Sequence, residues 1–120
     1  RVAWYDLDPA CNDSWIRHEI GLNSYAHTLQ VGDMDRDGDL DVISGNNGDQ
    51  AFADASPVIL FLKSEGERDW QQWQQQVLTM TGAYNSYIGD VEGDGDLDFF
   101  RYDGHEGTFY ELWENLTIDK

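Results

Sequence analysis

The sequence predicts an all-β chain made of four-stranded β-propeller blades, and two observations carry this prediction. An acidic run at residues 31–42 recurs without a gap at residues 88–99, so that Asp33 aligns with Asp90 at an offset of 57 residues. Short runs of β-forming residues, separated by turns rich in Gly and Asn, surround both copies, and no segment keeps an apolar period of 3.6 residues. Four strands recurring at this spacing are typical of propeller blades, which bury one another's faces.

Each predicted unit has four strands, which the repeat places in order. The first strand precedes the acidic run and the second follows it, while the third carries an aromatic residue near its end and the fourth is rich in β formers. The first strands are residues 26–29 and 83–86, and the second strands are residues 42–43 and 99–100. The third strands are residues 2–6, 58–62 and 109–115, and the fourth strands are residues 15–20 and 73–78.

The repeat divides the chain into three parts that amount to about two blades. Residues 1–23 form a half blade of third and fourth strands, residues 24–80 a full blade, and residues 81–120 a partial blade that stops after its third strand. The chain therefore starts and ends in the middle of a blade. Because open sheet faces and edges attract other strands, we expect self-association or the remainder of a larger propeller.

Composition excludes two classes of partner. The 120 residues contain 7 Lys and Arg against 24 Asp and Glu, a net charge of −17, whereas binding to nucleic acid needs clustered basic residues. No stretch is long and apolar enough to predict insertion into a membrane. The hydrophobic content of 40% and the many aromatic residues indicate a packed core despite the charge.

The two acidic loops, residues 33–41 and 90–98, predict two Ca²⁺ sites. Carboxylates stand at loop positions 1, 3, 5, 7 and 9, with Gly at position 6 for the sharp turn, and hard oxygen ligands at this spacing suit calcium. We expect side-chain oxygens from positions 1, 3, 5 and 9 and a main-chain carbonyl from position 7. The EF-hand Glu at position 12 is replaced by Ser44 and Arg101, which excludes an EF-hand. The predicted ligands are Asp33, Asp35, Asp37, Asp39 and Asp41 in the first loop and Asp90, Glu92, Asp94, Asp96 and Asp98 in the second.

These loops, together with the aromatic strands at residues 3–6 and 112–115, resemble the FG-GAP/VCBS repeat family. The resemblance implies a calcium-binding β-propeller of the kind found in integrin α-subunit heads and in many secreted or surface microbial proteins, with the ion between the first two strands of a blade. Glu92 departs from the usual Asp, and the integrin-type Phe-Gly and Gly-Ala-Pro signatures are absent, so the bacterial-type repeat is the closer match. An extracellular or cell-surface location is expected, because millimolar calcium fills even weak sites.

The function that these features predict is a non-catalytic, calcium-stabilised binding or assembly module that contacts carbohydrate or protein. One alternative is part of a polysaccharide lyase or hydrolase propeller, in which His27 and Tyr84 would be tested first. A second alternative is a structural subunit whose incomplete blades pair head to tail into rings or filaments. No G-x-S-x-G or P-loop motif supports an enzyme.

The tryptophans supply the candidates for a ligand site. Trp70 and Trp73 are the candidate ligand-binding residues, because aromatic faces stack on sugar rings. Trp4 and Trp113 align as equivalent repeat positions and are expected to pack between blades.

Overall fold

The fold comes from a computed structural model, which describes residues 1–11, 13–47, 55–63, 73–102 and 110–117. These ranges contain nine strands and no helix, so the prediction of an all-β chain is confirmed. No helix in the described ranges has the length and apolar character needed to cross a membrane. The strands are β1 (Val2–Leu7), β2 (Trp15–Gly21), β3 (Ala26–Gly32), β4 (Asp41–Asn46), β5 (Val58–Leu62), β6 (Gln74–Thr79), β7 (Asn85–Gly89), β8 (Asp98–Tyr102) and β9 (Tyr110–Trp113).

The strands form three antiparallel sheets, each built from strands that follow one another in the chain. The N-terminal sheet contains β1 and β2, the middle sheet β3 to β6, and the C-terminal sheet β7 to β9. Strand numbers of two, four and three are those that the repeat predicts. Within the described residues the sheets do not close on one another. The face of the N-terminal or middle sheet that lies toward the next sheet along the chain is called its forward face, and the opposite face its backward face. In the C-terminal sheet, the face toward the middle sheet is the backward face, and the other is the forward face.

The forward face of the middle sheet packs against the C-terminal sheet. Ile43, Val58 and Leu60 are buried there together with Phe99 of β8, and Trp113 of β9 packs against the same cluster. Full burial of such a side chain contributes about 1.5–3 kcal/mol, so this cluster is a main source of stability. It holds in contact the middle and C-terminal sheets, each of which contains one of the two acidic loops.

The backward face of the middle sheet packs against the N-terminal sheet. Val42, Ile59 and Phe61 are buried in a second cluster with Val2 and Ile20. Side chains of the middle sheet thus alternate between its two neighbours, as the two-residue period of a strand requires. The two central strands of the middle sheet, β4 and β5, are therefore buried on both faces.

Polar contacts join the first strands of the middle and C-terminal sheets. Thr28 Oγ1 and Ser86 Oγ are 2.9 Å apart, and the side-chain amide of Gln30 donates to the main-chain oxygen of Ser86 at 2.8 Å. Gly32 lies so close to the C-terminal sheet that a Cβ atom there would be 2.6 Å from Ile88 Cδ1. Glycine at this position therefore permits the close approach of the two sheets.

Trp113 is not the equivalent of Trp4, in contrast to the alignment made from the sequence. Trp113 lies opposite Phe99 in the C-terminal sheet, as Phe61 lies opposite Val42 in the middle sheet. Since Val42 and Phe99 correspond at the 57-residue offset, Trp113 is the equivalent of Phe61. It faces backward and packs against the cluster that contains Phe99.

Trp4 corresponds to Leu60 instead. The register shifts after Val2 in the pairing of β1 with β2, and in the same way after Val58 in the pairing of β5 with β6. Matching the two shifts places Trp4 on the forward face of the N-terminal sheet, where it packs against the second cluster. The alignment made from the sequence was offset by one residue in the third strand, and an offset of one residue exchanges the two faces of a strand.

Candidate metal centre

Each acidic loop connects the first two strands of its sheet and turns through two residues with positive φ. In the first loop these are Arg36 (φ 62°) and Gly38 (φ 93°), and in the second they are Gly93 (φ 78°) and Gly95 (φ 96°). Glycine adopts this left-handed region without steric cost, whereas Arg36 does not. The backbone of both copies therefore turns at loop positions 4 and 6.

The first loop brings three carboxylates together. Asp33, Asp35 and Asp37 each offer an oxygen, and these oxygens lie within 4.8 Å of one another, so the group could hold a metal ion. One oxygen of Asp33, Oδ2, accepts the N–H of Gly38 at 3.1 Å. Its other oxygen, Oδ1, is buried and has no hydrogen-bond partner among the described residues. A buried, unpartnered carboxylate oxygen beside two further carboxylates is the environment that a cation would stabilise.

The pKa of Asp35 reflects this crowding. Burial raises the pKa of Asp35 above its ordinary value, and the negative charges of Asp37 and Asp33 raise it further. The N–H of Asp37, which donates to Asp35 Oδ1 at 3.2 Å, opposes the shift. The charges of Asp37 and Asp33 therefore disfavour the charged form of Asp35 in the absence of a cation.

Asp41, at loop position 9, is fully buried and has both oxygens hydrogen-bonded to the backbone. Oδ2 accepts the N–H of Met34 at 2.8 Å, and Oδ1 accepts the N–H of Lys63 at 2.9 Å. Burial raises the pKa of Asp41, and these two backbone hydrogen bonds act against the rise. Since Lys63 follows β5 directly, Asp41 ties the start of the loop to the end of the third strand.

Asp98 makes the same contacts in the second loop. It is also fully buried, and its oxygens accept the N–H groups of Val91 and Asn115, both at 2.9 Å. Asn115 lies two residues after β9, at the position that corresponds to Lys63. The sequence assigned loop position 9 to the ion; that assignment stays a prediction, and the structure adds a role in closing the loop.

The rest of the second loop differs from the first. Asp90 Oδ1 accepts the N–H groups of Gly93 and Asp94 at 2.7 and 3.0 Å, and Oδ2 accepts that of Gly95 at 3.0 Å. Both oxygens of Asp90 thus have backbone partners. In the described ranges, Asp33, Asp35 and Asp37 alone bring three carboxylates within 4.8 Å of one another. Glu92 is exposed, and Asp96 is buried.

Two residues of the site were missed from the sequence. The side-chain ammonium nitrogen of Lys63 lies 2.5 Å from Asp39 Oδ1, while the main-chain N–H of Lys63 donates to Asp41 Oδ1. Asn115 donates from its side-chain amide to the main-chain oxygen of Met34 in the first loop, at 2.8 Å, and so bridges the two sheets. Because Lys63 and Asn115 differ in chemistry, the repeat gave no signal that they occupy equivalent positions.

The remaining candidates lie elsewhere. Trp73 is half-buried and packs against the second cluster, while Trp70 lies outside the described residues. His27 stacks on Tyr84 with ring centroids 4.2 Å apart, and its Nδ1–H donates to the main-chain oxygen of Tyr84 at 2.6 Å. A ligand-binding role for Trp70 or Trp73 stays a prediction.

The arrangement can therefore hold a cation in the first loop through carboxylate oxygens, with both loops closed by a buried Asp. The donor set is made of oxygen atoms, since His and Cys are absent from the converged group. Comparisons of the chain with models of protein families, with curated proteins and with solved structures found no match.

Proposed function

We propose that this chain is a calcium-stabilised module of FG-GAP/VCBS-type propeller blades that binds or assembles with carbohydrate or protein outside the cell and is not itself an enzyme. The observation that carries the proposal is the convergence of Asp33, Asp35 and Asp37, together with a buried oxygen of Asp33 that has no hydrogen-bond partner among the described residues. The loop that contains them is one of two copies of the same acidic pattern.

The donor atoms favour calcium over other metals. Calcium takes six to eight oxygen ligands in flexible geometry, zinc prefers His and Cys, and magnesium keeps several waters. In the first loop, the side chains of Asp33, Asp35, Asp37 and Asp41 and the carbonyl of Asp39 would hold the ion. In the second loop, the corresponding residues are Asp90, Glu92, Asp94, Asp98 and the carbonyl of Asp96.

The ions would serve folding by neutralising the loops. Ten of the 24 acidic residues lie in the two loops, and two bound Ca²⁺ would bring the net charge from −17 to −13. A ligand that binds the folded but not the unfolded chain stabilises the fold by mass action. Calcium would thereby stabilise the connection between the first two strands of the middle sheet and of the C-terminal sheet.

The sheets support a module that contacts other surfaces. Sheets of two, four and three strands repeat one pattern, and the middle sheet is covered on both faces while the outer two are covered on one. Stacked sheets of this kind are the building principle of propellers and solenoids. The repeated pattern of sheets supports the propeller-type architecture of the proposed module.

Thermal unfolding with and without calcium tests the proposal. At free calcium about 100 times the dissociation constant, each site adds about 2.7 kcal/mol, so we expect the melting temperature to rise by about 10 °C or more relative to EDTA. Magnesium at the same concentration is the control and should give a smaller rise. Identical melting curves in calcium and EDTA would contradict the proposal.

A second candidate is a polysaccharide lyase or hydrolase, which one observation favours. Because Nδ1 of His27 donates to the Tyr84 carbonyl, Nε2 carries a lone pair that can accept a proton beside an aromatic ring. Incubation with acidic and neutral polysaccharides, followed by analysis of product size, tests this candidate. Activity that His27→Ala abolishes would support it, and intact polymers would contradict it.

A further inference from the structure

Asn115 contacts both acidic loops, although it belongs to neither. Its side-chain amide donates one hydrogen to the main-chain oxygen of Met34 in the first loop, at 2.8 Å, and the other to the main-chain oxygen of Leu97 in the second loop, at 3.1 Å. Its main-chain N–H donates to Asp98 Oδ1 at 2.9 Å. The two amide hydrogen bonds are called the Asn115 bridge.

The amide of Asn115 is held in one orientation by all of its polar atoms. Its oxygen accepts the main-chain N–H of Thr117 at 3.1 Å and the hydroxyl of Thr117 at 2.6 Å. A side-chain amide has two donor hydrogens and one acceptor oxygen, and each of them has a partner here. With nitrogen and oxygen exchanged, the oxygen would face two carbonyl oxygens. The amide therefore serves both loops at once.

The two carbonyl groups of the bridge lead directly into predicted calcium ligands. Because a peptide group is planar, a hydrogen bond to the oxygen of Met34 fixes the peptide that joins Met34 to Asp35. In the same way, the hydrogen bond to the oxygen of Leu97 fixes the peptide that joins Leu97 to Asp98. Asn115 thus positions the backbone that carries one carboxylate of each loop.

The first loop holds Met34 from its other side. The N–H of Met34 donates to Asp41 Oδ2 at 2.8 Å, and Met34 stands between Asp33 and Asp35 of the converged group. Met34 is buried in the cluster that joins the middle and C-terminal sheets, and Leu97 packs against that cluster. The bridge is therefore part-buried beside apolar side chains, where a hydrogen bond is stronger than in water.

We infer that Asn115 couples the two loops, so that calcium bound in one loop raises the calcium affinity of the other. The coupling deepens, and rests on, the calcium sites of the proposed function. Ordering the Asn115 side chain costs rotamer freedom, and this cost falls on whichever loop binds first. The loop that binds later then meets an amide that is already in place. Thermodynamic linkage makes such a coupling reciprocal.

Gln30 supplies a matched control for the bridge. Its side-chain amide donates to the main-chain oxygen of Ser86 at 2.8 Å, and so joins the same two sheets by the same kind of hydrogen bond. Gln30 lies on β3 and Ser86 on β7, so both stand outside the acidic loops. Gln30→Ala should therefore lower the free energy of unfolding and leave the coupling as it is.

A mutant cycle on calcium affinity measures the coupling. Asp35→Asn combined with Asp37→Asn removes two carboxylates from the first loop, and each new amide keeps an oxygen for the backbone N–H that the carboxylate accepts. Calorimetric titration with calcium gives the affinity of the second loop with the first loop filled, in the wild type, and with the first loop emptied, in the variant. The ratio of these two affinities is called the coupling ratio.

Asn115→Ala removes the bridge and leaves the charge of both loops unchanged. Repulsion between two bound ions therefore contributes equally to the coupling ratio with and without Asn115, and it cancels in the comparison. We expect the coupling ratio to be about fivefold larger in the wild-type background than in the Asn115→Ala background. In the Gln30→Ala background it should stay within about twofold of the wild-type value.

The two controls separate coupling from a merely structural contact between the sheets. A structural contact would lower the free energy of unfolding in urea and EDTA for both Asn115→Ala and Gln30→Ala, without changing the coupling ratio. A coupling ratio that Asn115→Ala leaves unchanged, or that Gln30→Ala lowers equally, would overturn the inference alone. A chain that binds fewer than two calcium ions would overturn the proposed sites, and the inference with them.

Asn115→Ser keeps the test available if circular dichroism shows that Asn115→Ala is unfolded. A serine hydroxyl has a single donor hydrogen, so it can serve one carbonyl and not two. We expect Asn115→Ser to lower the coupling ratio as Asn115→Ala does, and an unchanged ratio would overturn the inference.

Discussion

The two acidic loops share a sequence pattern but differ in how their first carboxylate is used. Asp33 keeps a buried oxygen without a hydrogen-bond partner among the described residues and lies beside Asp35 and Asp37. Both oxygens of Asp90 accept hydrogen bonds from backbone N–H groups, including that of Gly93. The first loop therefore brings three carboxylates within reach of one cation, while the second satisfies its first carboxylate with backbone hydrogen bonds.

The difference teaches that an acidic pattern specifies a turn more firmly than it specifies a bound ion. Both loops keep the positive φ at positions 4 and 6, and both are closed by a buried Asp at position 9. The loops differ at position 3, where Glu92 stands in place of Asp35, and at position 4, where Gly93 stands in place of Arg36. The N–H of Gly93 donates to Asp90 Oδ1, whereas Asp33 Oδ1 has no hydrogen-bond partner among the described residues.

The largest expected effect tests what the loops share. Asp41→Ala leaves the buried N–H of Met34 and the part-buried N–H of Lys63 without an acceptor, and Asp98→Ala does the same to two part-buried N–H groups, at about 1–3 kcal/mol for a buried group. We expect Asp41→Ala to lose about 3 kcal/mol in the free energy of unfolding and Asp98→Ala about 2 kcal/mol, measured with urea in EDTA. Losses below about 1 kcal/mol would show that the buried carboxylates do not close the loops.

The next effect tests what separates the loops. In EDTA, Asp33→Asn should raise the melting temperature, because it removes one of three crowded charges, whereas Asp90→Asn should lower it, because Asp90 accepts three backbone hydrogen bonds. In calcium, Asp33→Asn should weaken the tighter site by at least about tenfold, measured by calorimetric titration.

Asp13→Asn is the control for this comparison, since Asp13 is exposed and lies outside both loops. It changes the net charge by the same amount and should leave both the melting temperature and the calcium affinity near the wild-type values. Equal behaviour of Asp33→Asn and Asp90→Asn in EDTA would remove the distinction between the loops.

The smallest effect exchanges the residue at position 4. The left-handed backbone conformation of Arg36 has a steric cost that glycine avoids. Arg36→Gly should therefore stabilise the calcium-bound protein by up to about 1 kcal/mol. Gly93→Ala should cost about 1 kcal/mol from backbone strain alone, because no atom lies within 4 Å of the added Cβ.

Gly89→Ala serves as the matched control for Gly93→Ala. Gly89 also has no atom within 4 Å of an added Cβ, but its φ lies outside the positive range. We expect its free energy of unfolding in urea to stay within about 0.5 kcal/mol of the wild type. If Gly93→Ala were equally neutral, the strain at position 4 would not account for the difference between the loops.

Local pattern predicted the elements well. The alternation of β-forming runs and Gly-rich turns predicted an all-β chain, and the 57-residue offset predicted strands in groups of two, four and three. The matching of Trp4 with Trp113 was wrong by one residue, because strand pairing makes Trp113 the equivalent of Phe61 and Trp4 the equivalent of Leu60. Strand pairing decides which face a residue occupies, and it depends on the partner strand as well as on the strand itself.

The sequence by itself determined the strand order, the two acidic turns and the excess of negative charge, since each follows from contacts between residues close in the chain. The tertiary structure decided which carboxylates converge, which accept hydrogen bonds from backbone N–H groups, and which sheet faces are covered. Asp41 reaches Lys63, 22 residues away, only because β5 packs beside β4. Phe100 and Ile43 occupy equivalent positions, and only the presence of a neighbouring sheet makes one of them core.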